Sequence, residues 1–126
     1  MRIFKLKAFA RFQRRESLND KALAKAIGNA ELGLIDADLG SGVIKQRVAR
    51  PGVVKRDGFR TVVAYCRSVR AVFLFGFAKN ERANLDDDEL GHWRRIGRDY
   101  LALSEKSVEA ALAADELNEV MNDEDK

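Results

Sequence analysis

The sequence of 126 residues predicts a single α+β domain, an antiparallel sheet with two helices before its main strands and further helices after them. Two observations indicate this fold class. Three β-type segments follow one another between residues 43 and 78, and segments with helical spacing of apolar residues lie on both sides of them. The length suits one domain, which we expect to span residues 1–121, with residues 122–126 as a frayed tail.

The N-terminal region predicts a strand followed by a helix. Apolar and basic side chains alternate over residues 1–7, which indicates a short strand, and its lysines favour a position at the sheet edge. Phe9 and Phe12 are three residues apart, so residues 8–16 are expected to form a short helix.

A second helix is predicted after residue 17. Ser17 and Asp20 have the spacing of a capping box, in which two side chains satisfy free backbone N–H groups at a helix start. One face of this helix is apolar and consists of Leu23, Ile27, Ala30 and Leu34. Residues 35–42 are rich in glycine and aspartate and are expected to form a loop.

Residues 43–49, 59–66 and 71–78 are the three main strand candidates. Only four residues separate the second from the third, so these two are expected to pair as an antiparallel hairpin. The third is apolar on both alternating faces, which is typical of a central strand covered on both sides.

The C-terminal region predicts two helices and a short extended segment. Asn84 is a plausible N-cap before a run of acidic residues, which stabilise a helix start, and this helix is expected to end near Leu103. Ser104 has the character of a second N-cap. Residues 117–121 are expected to be extended.

Charge is divided unevenly along the chain. Residues 1–82 contain 18 Lys and Arg against 7 Asp and Glu, whereas residues 83–126 contain 5 against 13. A basic region of this size suits a polyanion such as RNA or DNA, because neutralised phosphates release condensed counterions. The acidic C-terminal helices are therefore expected to cover the other side of the sheet, or to shield the basic face.

Several classes of site are excluded by residue counts. One histidine and one cysteine cannot supply a metal-ligand set, the run of residues 86–89 lacks the spacing of a calcium loop, and residues 40–42 match no nucleotide-binding loop, so no metal or cofactor is expected. Cys66 is expected to be buried and inert, and His92 to be a surface or packing residue.

No membrane association is expected. The longest apolar stretch, residues 71–78, is too short to cross a bilayer, and arginines at positions 11, 14 and 15 occupy the region where a secretory signal requires an apolar run. We therefore expect a cytoplasmic protein.

Five cations at the strand ends form the most informative pattern. Lys45 and Arg47 share one face of their strand, Arg60 begins the next, and Lys79 and Arg82 close the third. Antiparallel neighbours are expected to gather them on one open surface. Such a surface suits either simple binding of nucleic acid or stabilisation of the extra negative charge that forms during phosphodiester cleavage, and composition leaves both open.

Three segments resemble the RelE/HigB-type toxins of bacterial type II toxin–antitoxin modules, in the branch of RelE-like addiction-module toxins. They are residues 42–50 (GVIKQRVAR), 58–61 (GFRT) and 72–84 (VFLFGFAKNERAN). The resemblance implies a microbial-ribonuclease-like fold. It also implies a ribosome-dependent mRNA endoribonuclease, an mRNA interferase that helps the ribose 2′-hydroxyl attack the adjacent phosphate, with basic residues in place of a histidine–glutamate pair.

Residue roles follow from the same resemblance. It assigns Arg60, Lys79 and Arg82 to catalysis, and the RNA-binding set is Lys45, Arg47, Arg50, Lys55 and Arg56. Many relatives carry a tyrosine or histidine near the C-terminus, whereas residues 117–120 offer neither, and Tyr65 is expected to be buried. The proton-transfer role is thus unassigned, with Lys79 as one candidate.

The implied partners are messenger RNA on the ribosome and a cognate antitoxin, typically a small helix-turn-helix protein. Two alternatives of function stay open. One is a non-catalytic module of the same fold that binds nucleic acid or an antitoxin. The other is a toxin with a different target such as gyrase, as in a sister branch of the fold.

Overall fold

The computed structural model describes residues 1–49, 58–78 and 84–121, and it confirms the α+β class. The N-terminal half contains β1 (Arg2–Leu6), α1 (Lys7–Arg15), α2 (Asp20–Glu31), β2 (Ala37–Gly40) and β3 (Val43–Val48). After these come β4 (Phe59–Cys66), β5 (Arg70–Ala78), α3 (Asp87–Leu101), α4 (Glu105–Ala113) and β6 (Leu117–Glu119).

One six-stranded sheet has the order β2-β3-β4-β5-β1-β6. The predicted hairpin is confirmed, since β4 and β5 pair antiparallel from Phe59↔Ala78 to Cys66↔Arg70. The sheet is mixed rather than purely antiparallel, because β1 runs parallel to β5. The central place of β5 is also confirmed, with β4 on one side and β1 on the other.

The prediction that β1 lies at a sheet edge was wrong. This strand lies between β5 and β6, and Lys5 on it is buried. The Lys5 ammonium donates to Gln13 Oε1 at 2.6 Å and to Asp20 Oδ1 at 2.8 Å. A lysine in an interior strand is tolerated here because two partners from the helices satisfy it.

Two helical layers cover the two faces of the sheet. Packing of α1 and α2 on one face buries Phe9, Phe12, Leu23 and Ile27 against residues such as Phe59 and Phe73. On the other face, α3 and α4 cover Val43, Val62 and Leu74. α3 comes close to the sheet at Gly97, where a Cβ atom would lie 2.7 Å from Val43 Cγ2.

The prediction that Ser17 caps α2 was wrong. Asn19 caps this helix, its side chain accepting from the Ala22 N–H at 2.9 Å, while Ser17 has a positive φ of 53°. The helix ends at Glu31, so Leu34 lies beyond it and is 61% exposed. The predicted loop over residues 35–42 contains β2 instead.

The C-terminal elements agree better with expectation. Ser104 caps α4, as predicted, and β6 confirms the extended segment. Asp86 rather than Asn84 caps α3, in a capping box with Glu89. The proposed frayed tail, residues 122–126, lies outside the described residues.

Cys66 is exposed, which contradicts its expected burial, because it ends β4 where the hairpin turn begins. His92 lies at the surface. None of the helices in the described ranges combines the length and apolar character that a bilayer crossing requires.

Candidate nucleic-acid interface

Three of the predicted cations meet on the face of the sheet that α3 covers. Arg47 of β3 lies directly opposite Arg60 of β4, and Lys45 lies opposite Val62. Because residues two apart on a strand and residues opposite each other across a ladder share a face, the three basic side chains are neighbours.

An aspartate that the sequence analysis did not single out lies among these cations. Asp36 Oδ1 is 3.1 Å from Arg47 Nε, and Asp36 Oδ2 is 3.7 Å from Arg60 Nε and 4.0 Å from Lys45 Nζ. We call these four residues the Asp36 cluster. Like charges directly opposite each other destabilise a sheet, and the shared carboxylate offsets this repulsion between Arg47 and Arg60.

Gln46 holds Asp36 in place. This buried side chain donates through Nε2 to the carbonyls of Ala26, at 3.0 Å, and Leu34, at 2.8 Å, and its Oε1 accepts from the Asp36 N–H at 3.1 Å. The link between α2 and β2 is thereby fixed to β3. No local sequence signal indicates this contact, because it joins segments that are distant in the chain.

Exposure differs sharply within the cluster. The Arg47 side chain is 42% exposed and that of Lys45 20%, whereas that of Arg60 is only 6% exposed. The prediction that Arg60 lies on an open surface was therefore wrong. Its Nη1 is buried and has no hydrogen-bond partner within the described parts of the chain.

Burial and then the Arg47 charge lower the pKa of Arg60 below its usual value, while Asp36 opposes this shift. Guanidinium starts from so high a pKa that Arg60 stays protonated at neutral pH. The site therefore offers a fixed positive charge rather than a base.

The other five predicted site residues belong to two segments outside the described ranges. Lys79 and Arg82, and likewise Arg50, Lys55 and Arg56, lie outside the described residues. The strand ends that flank these segments are adjacent, since Phe59 pairs with both Val48 and Ala78. This end of the sheet is also the end at which Arg60 lies.

The C-terminal helices lie on the same face as the cations, which contradicts the expectation that they cover the other side and agrees with the alternative that they lie against the basic face. Trp93, Ile96 and Tyr100 of α3 pack on this face, because its apolar residues need cover. Lys45 Nζ donates to Asn84 Oδ1 at 3.4 Å, just before α3. The acidic start of this helix therefore borders the Asp36 cluster.

A row of aromatic rings leads away from Arg60 on this face. Phe77 lies opposite Arg60 in the ladder, and its ring centroid is 6.0 Å from that of Phe75. Phe75 stacks on Trp93 at 5.4 Å, and His92 meets Trp93 edge-on at 4.7 Å. Both rings belong to the strand that was predicted to be central and covered on both sides, although aromatic residues near cations are themselves a signal for nucleic-acid binding.

Tyr65 is buried, as expected. Burial, and then the hydrogen bond that its hydroxyl donates to the Glu31 carboxylate, raise the pKa of Tyr65. The hydroxyl is thus engaged on the face opposite the Asp36 cluster, where a proton-transfer role has no substrate.

Comparison with known families gives one match. The model for the RelE toxin of the RelE/RelB toxin–antitoxin system matches residues 1–120. No curated protein matches the chain significantly. The family match spans the sheet, all four described helices and the Asp36 cluster. The chain therefore belongs to the RelE toxin family of toxin–antitoxin systems.

Proposed function

We propose that this toxin is an endoribonuclease that cleaves messenger RNA on the translating ribosome, in the cytoplasm. One observation carries the proposal: Lys45, Arg47 and Arg60 converge from two strands on the oxygens of a single carboxylate. Three cations around one anionic group are the arrangement that a phosphodiester requires.

The Asp36 carboxylate marks where an anion is held. A phosphate presents oxygens of the same charge sign, and Arg47 is exposed enough to reach it from solvent. Arg60 lies beneath, with its Nη1 buried and unpartnered within residues 1–49, 58–78 and 84–121, so its positive charge acts on a bound phosphate from below. We infer that RNA competes with Asp36 for these cations.

The proposed chemistry is transfer of the phosphate within the RNA. The ribose 2′-oxygen forms a bond to the adjacent phosphorus, the bond to the 5′-oxygen breaks, and the 5′-oxygen leaves with a proton. Arg60 stabilises the negative charge that accumulates on the phosphate oxygens. Lys79 and Arg82 complete the proposed catalytic set, with Lys79 as candidate acceptor of the 2′-hydroxyl proton.

The remaining cations are proposed to bind the RNA backbone. Lys45 and Arg47 lie at the Asp36 cluster, and the other members of this set are Arg50, Lys55 and Arg56. Each would contribute a salt-sensitive phosphate contact. An antitoxin partner follows from the family. We propose that it is a small helix-turn-helix protein whose acidic segment neutralises the same cations.

The test is to express the toxin in bacteria and map RNA ends on translated messages. Replacement of Arg60 by Gln should reduce cleavage by about 100-fold or more, the scale of losing one stabiliser of an oxyanion. Replacement of Arg47 by Gln should reduce cleavage by weakening RNA binding, and this loss should depend on salt. Arg98→Gln on the exposed side of α3 makes the same charge change and should leave cleavage intact. Since Arg60 is buried, exposed Arg47 provides the variant that tests the location of the site without disturbing the core.

Unchanged cleavage in both variants would contradict the site assignment. If RNA is bound but no new ends appear with the native protein, the non-catalytic binding module is favoured instead. Growth arrest with lost DNA supercoiling and intact messages would point to gyrase as the target.

A further inference from the structure

A cleft lies beside β5, between α1 and α3, where β1 no longer pairs with this strand. Pairing of β1 with β5 ends at Lys5↔Phe73, whereas β5 continues to Ala78. The space beyond the end of β1 forms a cleft of about 290 Å³. Its lining includes Arg11, Phe12 and Arg15 of α1, residues 74–76 of β5 and Trp93 of α3.

We infer that this cleft binds one nucleotide of the RNA, with the base stacked on Trp93 and the phosphate held by Arg11 and Arg15. The inference rests on the proposed function for the identity of the ligand. It adds a binding site that is separate from the Asp36 cluster and takes no part in bond cleavage.

Trp93 is a prepared stacking platform. Its ring lies on that of Phe75 at an interplanar angle of 20°, and the His92 ring meets it at 4.7 Å. These two neighbours fix the orientation of the indole, and Trp93 is half-buried. A β-bulge near Leu74 lets both Leu74 and Phe75 face α3. Base stacking on a fixed aromatic ring contributes binding that tolerates any base.

The opposite wall of the cleft is cationic. Arg11 and Arg15 are four residues apart on α1, so they share one side of the helix, and both are exposed. Arg15 is 69% exposed, with its guanidinium 5.6 Å from the centre of the Phe12 ring and its Nε 3.4 Å from a Glu16 oxygen. Two arginines beside an aromatic platform match a phosphate and a base better than they match an apolar ligand.

The size of the cleft limits the ligand. Small-molecule pockets usually span roughly 300–1,000 Å³, so this cleft is at the lower end and suits one heterocyclic base. Gly76 lets the Phe12 ring pack directly against β5 at this cleft, since a Cβ atom there would lie 2.5 Å from that ring.

Strand β5 links the cleft to the neighbourhood of the Asp36 cluster. Phe77, opposite Arg60, and Phe75, beneath Trp93, are two residues apart on β5, roughly 7 Å along the strand. On this inference, an RNA strand held at the Asp36 cluster extends past β5 and places another of its nucleotides at Trp93.

Trp93 is the single tryptophan of the chain, so its fluorescence reports on this cleft alone. The probe is a short single-stranded RNA with 2′-O-methyl riboses, which cannot be cleaved. It should quench the fluorescence saturably, whereas a strand of the same length without bases should bind more weakly and leave the fluorescence unchanged. Binding is therefore read independently of cleavage.

Variants locate the site by anisotropy of the labelled probe. Trp93→Leu should weaken binding by roughly 5- to 150-fold, the effect of losing one base stack, and Trp93→Phe should restore most of it. Arg11→Gln with Arg15→Gln should also weaken binding. The matched control, Arg95→Gln with Arg98→Gln, removes the same charge from exposed positions of α3 and should have a much smaller effect.

Absence of quenching, or equal losses in the two double variants, would overturn the inference. So would quenching by the antitoxin but not by RNA, which would assign the cleft to a protein side chain. If RNA quenches the fluorescence of the native protein but the native protein does not cleave RNA, the proposed function is rejected and the binding site at Trp93 is retained.

Discussion

Arg60 lies beneath Asp36, with 3.7 Å between Arg60 Nε and Asp36 Oδ2, and the same carboxylate lies 3.1 Å from Arg47 Nε. The protein thus carries its own anion at the place where we propose that RNA phosphate binds. Removal of that anion separates its two effects, which are competition with RNA and neutralisation of a buried cation.

Asp36→Asn should tighten RNA binding. Without the carboxylate, Arg47 and Lys45 lose a competing partner, and the gain should be about 1 kcal/mol, roughly fivefold, as for a partly exposed ion pair. Affinity for the 2′-O-methyl RNA at fixed salt measures it. Asp99→Asn, an equal charge change on the exposed side of α3, serves as the control. Equal gains in the two variants would mean that only net charge matters.

The same Asp36→Asn variant should be less stable. Arg60 would keep its buried charge without the carboxylate that offsets it, at a cost of about 1–3 kcal/mol in the free energy of unfolding. Urea denaturation of Asp36→Asn and Asp99→Asn measures this difference. A native-like stability of Asp36→Asn would show that Asp36 contributes nothing to holding Arg60.

Stability should fall in acid through Asp20. Burial raises the pKa of this carboxyl, but hydrogen bonds from Lys5, Gln13 and the Met121 N–H outweigh it and hold the pKa below its usual value. A carboxyl with a lowered pKa in the folded state stabilises the fold above its unfolded value of about 3.9, and this stabilisation disappears as pH falls towards the folded pKa.

Asp20→Asn should therefore lower the free energy of unfolding by about 2–3 kcal/mol at neutral pH. Below about pH 4, the stability of this variant should fall less steeply with pH than that of the native protein. Urea denaturation across this pH range measures both effects. The control is Asp115→Asn, whose exposed carboxylate pairs with Lys7 at 3.7 Å and accepts from Asn118 Nδ2 at 2.8 Å, and it should change stability by less than about 0.5 kcal/mol. Parallel stability curves for the native protein and Asp20→Asn would refute this role.

Two Gly→Ala substitutions should change the free energy of unfolding in opposite directions. At Gly76, a Cβ atom would overlap the Phe12 ring at 2.5 Å, so Gly76→Ala should cost about 1–3 kcal/mol. At Gly28 in α2, no atom lies within 4 Å of the new methyl group, so Gly28→Ala should gain about 0.5–1 kcal/mol from helix propensity. Thermal unfolding measures both, and a stabilised Gly76→Ala would show that Phe12 moves freely.

The elements that depend on local pattern could be predicted from the sequence. β4 and β5 are apolar strands joined by a short turn, and Ser104 caps α4 through its own side chain, so neither needs information from elsewhere in the chain. Lys5 shows the limit of this reasoning. A lysine indicates an edge strand until Gln13 and Asp20, which come from two other elements, satisfy it in the interior.

The candidate site was predictable in part. Alternation along β3 and β4 placed Lys45, Arg47 and Arg60 on one face, because a strand repeats every two residues. Asp36 could not be found in this way, since only the tertiary contact with Gln46 brings it there. The burial of Arg60 likewise depends on its surroundings, which its own strand pattern does not encode.

The pairing of β6 with β1 affects how a new copy of the toxin forms. Phe4 lies beside Glu119 and Leu6 beside Leu117. One edge of β1, the first strand to be synthesised, therefore stays unpaired until β6, the last described strand, is available. A nascent chain therefore cannot complete its sheet until residue 119 has been added.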